Sequence, residues 1–204
     1  MIIYGNSLKI TDALRNCEKI KNIEIVSWRG SNIINNNEDI RKNTLIICGF
    51  NHEAYCSGFK FFIDNNIYKP VNRLKNIIDK FEEVIYLDTS NSKSLKTSSY
   101  YVYAKSEFKR ILIKKRPDLK IVELPFVVNS NGWPDFYANF FERLIAYIVI
   151  RYKKLPIVFS NDIAEYVFLN MRSVTSYDVI KKDLINRRTP RNRFLDKVFR
   201  VLYG

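Results

Sequence analysis

Met1-Ile2-Ile3-Tyr4-Gly5-Asn6-Ser7-Leu8-Lys9-Ile10-Thr11-Asp12-Ala13-Leu14 opens the chain. Ile2 to Tyr4 is a short apolar run that stops at Gly5. Beyond it, Ile10, Ala13, Leu14 and Cys17 recur at helical spacing. Strand, tight turn, helix is the opening of a nucleotide-binding βαβ unit. The alternation continues downstream. Ile23 to Trp28 predicts a second strand, ended by Arg29-Gly30 and followed by an Asn-rich loop from Ser31 to Asn37. Thr44-Leu45-Ile46-Ile47-Cys48-Gly49-Phe50 predicts a third. Its lack of polar alternation suits a parallel strand buried on both faces.

Residues 53–81 carry helical spacing, with Pro70 expected to start the second of two helices. Glu83 to Asp88 predicts a fourth strand, followed by the hydroxyl-rich loop Thr89-Ser90-Asn91-Ser92. A helix then runs to about Lys115, and Pro117 helps end it. Leu119 to Leu124 predicts a fifth strand, closed by Pro125. The stretch Asn129-Ser130-Asn131-Gly132-Trp133-Pro134 is dense in turn residues. A long apolar helix is expected from Phe136 to about Tyr152, and a short strand from Leu155 to Phe159. Pro156 confines that strand to an edge or limits its pairing. Ser160 or Asn161 can cap the next helix, through Ala164, Val167 and Leu169. Strands alternating with helices predict an α/β fold, a mostly parallel sheet flanked by helices.

With 204 residues, one domain is the natural expectation. Hydrophobic residues make up 47%, which argues for a globular chain rather than a disordered one. Lys and Arg total 34 against 21 Asp and Glu, a formal +13, which favours an anionic partner without choosing one. The plainer reading is a solvated basic surface. Cys17, Cys48 and Cys56 have no Cys-x-x-Cys spacing, so free thiols are expected. His52 is the single histidine, which excludes a zinc site built from several histidines; no metal is expected. The start on a strand leads us to expect a cytoplasmic protein.

Ser98-Ser99-Tyr100-Tyr101-Val102-Tyr103-Ala104-Lys105-Ser106-Glu107 carries the candidate chemistry. Tyr101 and Lys105 stand four residues apart, on one face of a helix and one turn from each other. An ammonium near a phenol favours the phenolate, and a Tyr tuned this way can exchange a proton near neutral pH. The same pair also occurs on ordinary helices.

These residues, in this order, resemble the short-chain dehydrogenase/reductase superfamily. The closer match is its extended branch of nucleotide-sugar epimerases, dehydratases and reductases. Met1 to Leu14 is similar to the first strand and phosphate-loop helix. Leu45 to Gly49 is similar to the strand ahead of the family's Ala-Ala segment. Val84 to Ser90 is similar to the strand that ends in the catalytic Ser or Thr. Tyr101 to Lys105 matches Tyr-x-x-x-Lys, and Asn161-Asp162-Ile163-Ala164 is similar to the Asp-Val-Ala segment after the substrate loop. The likeness spans nearly the whole chain. It implies a Rossmann-like fold, with residues 1–128 as nucleotide-binding core and 129–204 as a reduced substrate-binding part. The family's glycine loop is Gly-x-x-Gly-x-x-Gly. Here the second and third glycines fall on Leu8 and Thr11.

The resemblance implies NAD or NADP as cofactor and a nucleotide-sugar as substrate, in surface-polysaccharide synthesis. It implies Tyr101 as general acid/base, Lys105 as the lysine that tunes it and holds the nicotinamide ribose, and Thr89 or Ser90 as the substrate-oxygen ligand. Gly5, Asn6 and Ser7 would meet the cofactor phosphates. Arg29 could meet a 2′-phosphate, or be a solvated strand-end charge. Asn129, Asn131 and Gly132 fall where the branch contacts its nucleotide-sugar, or form an ordinary turn. Leu8 and Thr11 motivate a second reading, a non-catalytic relative serving as scaffold. The apolar 136–152 helix with its basic flank, and the basic set from Lys181 to Lys197, motivate a third: a protein that binds a membrane surface. A homodimer is expected by analogy with the superfamily. No nucleic-acid-binding motif is present, so nucleic acid ranks last among the anionic partners.

Overall fold

A computed structural model describes residues 1–5, 8–17, 23–27, 44–49, 58–89, 100–135, 140–152 and 155–171. At Leu8, Lys9, Thr89, 100–103, Glu142 and Met171 the description is of the backbone alone. The chain divides into two compact units, Met1–Leu124 and Pro125–Gly204.

The first unit is built on a five-stranded parallel sheet. Its strands are β1 (Ile2–Tyr4), β2 (Glu24–Val26), β3 (Thr44–Ile47), β4 (Glu83–Thr89) and β5 (Lys120–Leu124), in the order β2-β1-β3-β4-β5. This is the α/β fold expected from the sequence. Register places Ile2 beside Leu45 and Leu45 beside Val84, and likewise Tyr4 beside Ile47 and Ile47 beside Tyr86. Because side chains alternate along a strand, these six share one face of the sheet. They form one buried cluster with Leu74, Ile77, Ile78, Phe81, Phe108 and Leu112. Burying an apolar side chain of this size contributes about 1.5–3 kcal/mol. The intervening Ile3, Ile46 and Ile85 point to the opposite face and are also fully buried. Parallel strands covered on both sides account for the unbroken apolar run at 45–48.

The helices of this unit are α1 (Leu8–Arg15), α2 (Phe59–Ile63), α3 (Lys69–Leu74) and α4 (Tyr100–Lys115). The chain moves from β1 to β2 in one direction along the sheet, and from β3 through β4 to β5 in the other. Right-handed crossovers then set α1 on the face opposite α2 to α4. A π-helical turn, Asp64–Tyr68, joins α2 to α3 without a break. Pro70 opens the second α-helix, as expected from the sequence, but that helix continues from α2 through the π turn. It sits in the first turn of α3, just past the point where Lys69 N–H donates to the Asp64 carbonyl in the wider π pattern. Asn65 and Asn66 donate through Nδ2 to the Phe61 and Phe62 carbonyls, at 2.7 and 3.1 Å. Cys17 and Cys48 are free thiols, Cys48 buried; Cys56 lies outside the described residues.

The second unit holds a two-stranded parallel sheet of β6 (Phe126–Val128) and β7 (Ile157–Phe159), with α5 (Phe140–Tyr152) and α6 (Ile163–Met171). The sequence reading stopped at Pro125 and did not anticipate β6. Pro156, ahead of β7, keeps one useful group: its carbonyl accepts from Phe126 N–H at 3.1 Å. No helix among the described residues is long and apolar enough to cross a membrane.

Candidate functional site

The direction of the chain reverses between β1 and β3, which are neighbours in the sheet. In open parallel sheets the crevice outside the carboxyl ends at such a point is where ligands bind. Two glycines mark those ends. Gly5 follows β1 with φ 114° and Gly49 follows β3 with φ 92°, backbone conformations that L side chains rarely adopt. The ladder runs up to them: Gly5 N–H donates to the Val26 carbonyl at 2.8 Å, and Cys48 N–H to the Tyr4 carbonyl at 2.9 Å. Both turns are thereby fixed at the rim.

Lys105 reaches the same rim from α4. It is 4% exposed, although it carries an ammonium. Its Nζ donates to the Gly49 carbonyl at 3.4 Å and stands 5.2 Å from the centre of the Tyr86 ring. The carbonyl and the π face hold the ammonium at the rim, where its positive charge suits an oxygen-rich ligand. Tyr101 lies one turn earlier on the same helix, so the backbone sets both residues on one helical face. Thr89 is the last residue of β4, at the carboxyl edge, beside Leu124 in β5. Gly5, Lys105, Thr89 and Tyr101 all belong to elements that present their relevant ends on this side of the sheet. Asn6, Ser7, Arg29 and Ser90 lie outside the described residues.

Thr11, at the third glycine position of the family's loop, is 2% exposed within α1. The helix therefore accommodates a β-branched residue where the resemblance expects none. The described residues suit a dinucleotide at the β1/β3 rim through two positive-φ turns and a buried lysine. They depart from the pattern at Leu8 and Thr11. No group of three His, Cys, Asp or Glu among the described residues could hold a metal ion.

In the second unit Asn129, Asn131 and Gly132 form a closed turn. Asn129 Oδ1 accepts from Asn131 N–H and Trp133 N–H, each at 3.0 Å. Gly132 N–H donates to the Asn129 carbonyl at 2.8 Å, and Asn129 N–H to the Trp133 carbonyl at 2.8 Å. The Asn129 oxygen is thus already committed to the turn. Trp133 stacks on Tyr147 at 5.0 Å, which ties this turn to α5.

One pair escaped the sequence reading. Asp88, 1% exposed near the end of β4, accepts from Lys109 Nζ at 2.5 Å. The available signal was an acidic residue closing an apolar strand, with a lysine one turn beyond Lys105.

No protein-family model matches the chain, and no curated protein matches it. Solved structures do. A dTDP-4-dehydrorhamnose reductase from Clostridium acetobutylicum superposes with a TM-score of 0.56 at 16% identity, over 98% of this chain and 79% of the other. A dTDP-4-dehydrorhamnose reductase from Bacillus anthracis, solved in complex with NADP, gives 0.57 at 11% identity, over 98% and 80%. At these identities the likeness is one of fold, and the fold of this chain is Rossmann-like.

Proposed function

We propose that the chain is an NAD(P)-dependent oxidoreductase, epimerase or dehydratase of the extended short-chain dehydrogenase/reductase branch, acting on a nucleotide-sugar in polysaccharide synthesis. One observation carries the reading: the buried Lys105 ammonium stands at the Gly49 carbonyl, on the rim beside the strand reversal. The NADP held by the Bacillus anthracis reductase supports the same cofactor class here. When bound, the nicotinamide would give or take hydride. Lys105 would hold the ribose hydroxyls and favour the ionised form of Tyr101. Tyr101 would pass a proton to or from the substrate oxygen, and Thr89 or Ser90 would hold that oxygen. Gly5, Asn6 and Ser7 would meet the phosphates, and Arg29 a 2′-phosphate. Asn129, Asn131 and Gly132 would meet the sugar-nucleotide through groups not used in their own turn. Residues 1–128 would serve the nucleotide and 129–204 the substrate.

Calorimetric titration with NADP and NAD tests this. Stoichiometric binding of either supports it. No heat at a concentration of about 1 mM, where even weak dinucleotide sites fill, sinks it.

A second reading is favoured by Thr11, whose buried side chain occupies a position the family reserves for glycine. Under it, the chain keeps the fold and serves as a scaffold. It predicts no cofactor binding and no effect of Tyr101→Phe on the biological role.

A further inference from the structure

We propose that the outward face of α5 docks on an anionic lipid bilayer, the helix lying flat with Phe141, Ile145 and Tyr152 among the headgroups and upper acyl chains. Such docking needs no cofactor and stands whether or not the proposed function holds.

α5 is apolar on two sides. Its inner side carries Tyr147 and Ile150, both buried, and Ile150 packs with Val128 of β6 and Ile157 of β7. A surface helix anchored in this way ordinarily turns polar residues outward. Here the outward side carries Phe141, Ile145 and Tyr152, which are 73%, 62% and 72% exposed. Steps of four and seven residues put the three on one stripe, with the half-buried Ile148 between them. At 1.5 Å per residue the stripe runs about 16 Å along the helix. Phe140, also exposed, widens it at the N-terminal end, where its ring meets that of Phe141 at 5.9 Å. Among the described residues of the second unit, every large apolar side chain that is exposed stands on this one helix.

Charge, size and length choose the occupant. From Arg143 to Asn161 the sequence carries Arg143, Arg151, Lys153 and Lys154 and no acidic residue; the one acid of α5 is Glu142, in its first turn. Cations along and just beyond an apolar stripe match a surface of anionic headgroups. A stable interface between protein chains takes roughly 20–30 residues a side. This stripe is a few side chains on a helix of 13 residues, too little for a second copy to hold by itself. The helix is about 20 Å long, short of the roughly 30 Å hydrocarbon core, so it can lie in the interface and not span it.

Co-sedimentation with vesicles tests this. At about 0.05 M salt the wild-type chain should bind phosphatidylcholine vesicles containing about 30% phosphatidylglycerol about tenfold or more tighter than phosphatidylcholine alone, and lose most of that preference at about 0.5 M. Phe141→Ser combined with Ile145→Ser should weaken binding to the anionic vesicles about tenfold or more. Both side chains are exposed, so the fold should survive, which circular dichroism checks. No binding at low salt, or binding that the double variant leaves unchanged, overturns the proposal. So does a wild-type dimer, seen by sedimentation equilibrium, that the double variant splits, because a second copy then covers α5. If the double variant does not fold, wild-type protein labelled from the same vesicles by a diazirine-bearing phospholipid decides instead. Adducts mapped by peptide mass spectrometry to residues 140–152 support the proposal, and their absence there refutes it.

Discussion

Lys105 Nζ lies 3.4 Å from the carbonyl oxygen of Gly49, a residue 56 positions earlier in the chain. That contact joins α4 to the end of β3, next to the strand on which the chain reverses. If Lys105 is the ribose ligand, its loss must appear in binding before it appears in chemistry. Lys105→Met keeps the length of the side chain and removes the charge. NADP affinity measured by calorimetry should fall about tenfold or more, the value of a charge-assisted hydrogen bond. The thermal midpoint should fall as well, by the cost of leaving the Gly49 carbonyl without this donor, about 1–3 kcal/mol.

Tyr101→Phe separates the two functional readings. The phenol is assigned proton transfer and no share of cofactor affinity. If the chain turns over a nucleotide-sugar with NAD(P)H, as proposed, that turnover should fall about 10²–10⁴-fold. NADP affinity should stay within about twofold, since no contact of that size is lost. Wild-type protein that binds NADP, paired with a Phe variant of full activity, would remove Tyr101 from the mechanism.

The sheet was legible because parallel strands buried on both faces leave unbroken apolar runs, as at Leu45-Ile46-Ile47-Cys48. The position of Lys105 on a helix was legible for a similar reason: Ala104, Phe108 and Leu112 recur at helical spacing and are all buried. Its depth was not, since nothing in the local pattern says that a lysine will be covered. β6 was missed because three residues after a proline give no periodicity, and their partner β7 lies far along the chain. The π turn was missed because its wider hydrogen bonding, as at Lys69 N–H to the Asp64 carbonyl, has no compositional mark beyond Pro70. The Asp88–Lys109 pair depends on the approach of a strand and a helix, which spacing within either element cannot give.

Arg116 closes α4 onto the chain that leads into β4. Its Nη1 and Nη2 donate to the Ile78 and Glu82 carbonyls, each at 3.1 Å, and its Nε to Asp118 Oδ1 at 2.7 Å. The bond to the Ile78 carbonyl is partly buried, whereas those to the Glu82 carbonyl and Asp118 are exposed. Arg116→Ala should destabilise the fold by about 1 kcal/mol, chiefly through the partly buried Ile78 carbonyl, since water can meet the exposed acceptors. Urea denaturation reads this directly as a lower midpoint at unchanged slope.

Tyr4 should contribute to loss of stability at alkaline pH. Burial holds its phenol above the ordinary tyrosine value, with the Arg73 charge and hydrogen bond opposing in smaller measure. In the unfolded chain the phenol ionises near its ordinary pKa of about 10, whereas in the fold it ionises later. Above that pH the unfolded state binds fewer protons than the native one, so stability falls as pH rises. Below it the contribution is fully present. Tyr4→Phe should flatten this part of the curve when urea midpoints are compared between about pH 9 and 11. An unchanged alkaline slope would assign it to another group.

Ala104 links the π turn to the site. It is 1% exposed and packs with Phe62, Ile63 and Ile67, which flank and form that turn. A small residue here lets α4 lie close to the α2–α3 segment, immediately before Lys105. Ala104→Leu adds carbon where no space exists, and overpacking of this kind costs about 1–3 kcal/mol. The strain has two outlets. If α4 moves, the Lys105–Gly49 contact lengthens and NADP affinity drops along with stability. If the π turn yields, stability drops alone, with affinity unchanged. Urea denaturation and calorimetry on the same variant distinguish the two. The full burial of Phe62 and Ile67 on one side, against the exposed Tyr68 on the other, favours movement of α4. The expected outcome is therefore a joint loss, and affinity equal to wild type in a destabilised variant would show that the π turn, not the helix, is the softer element.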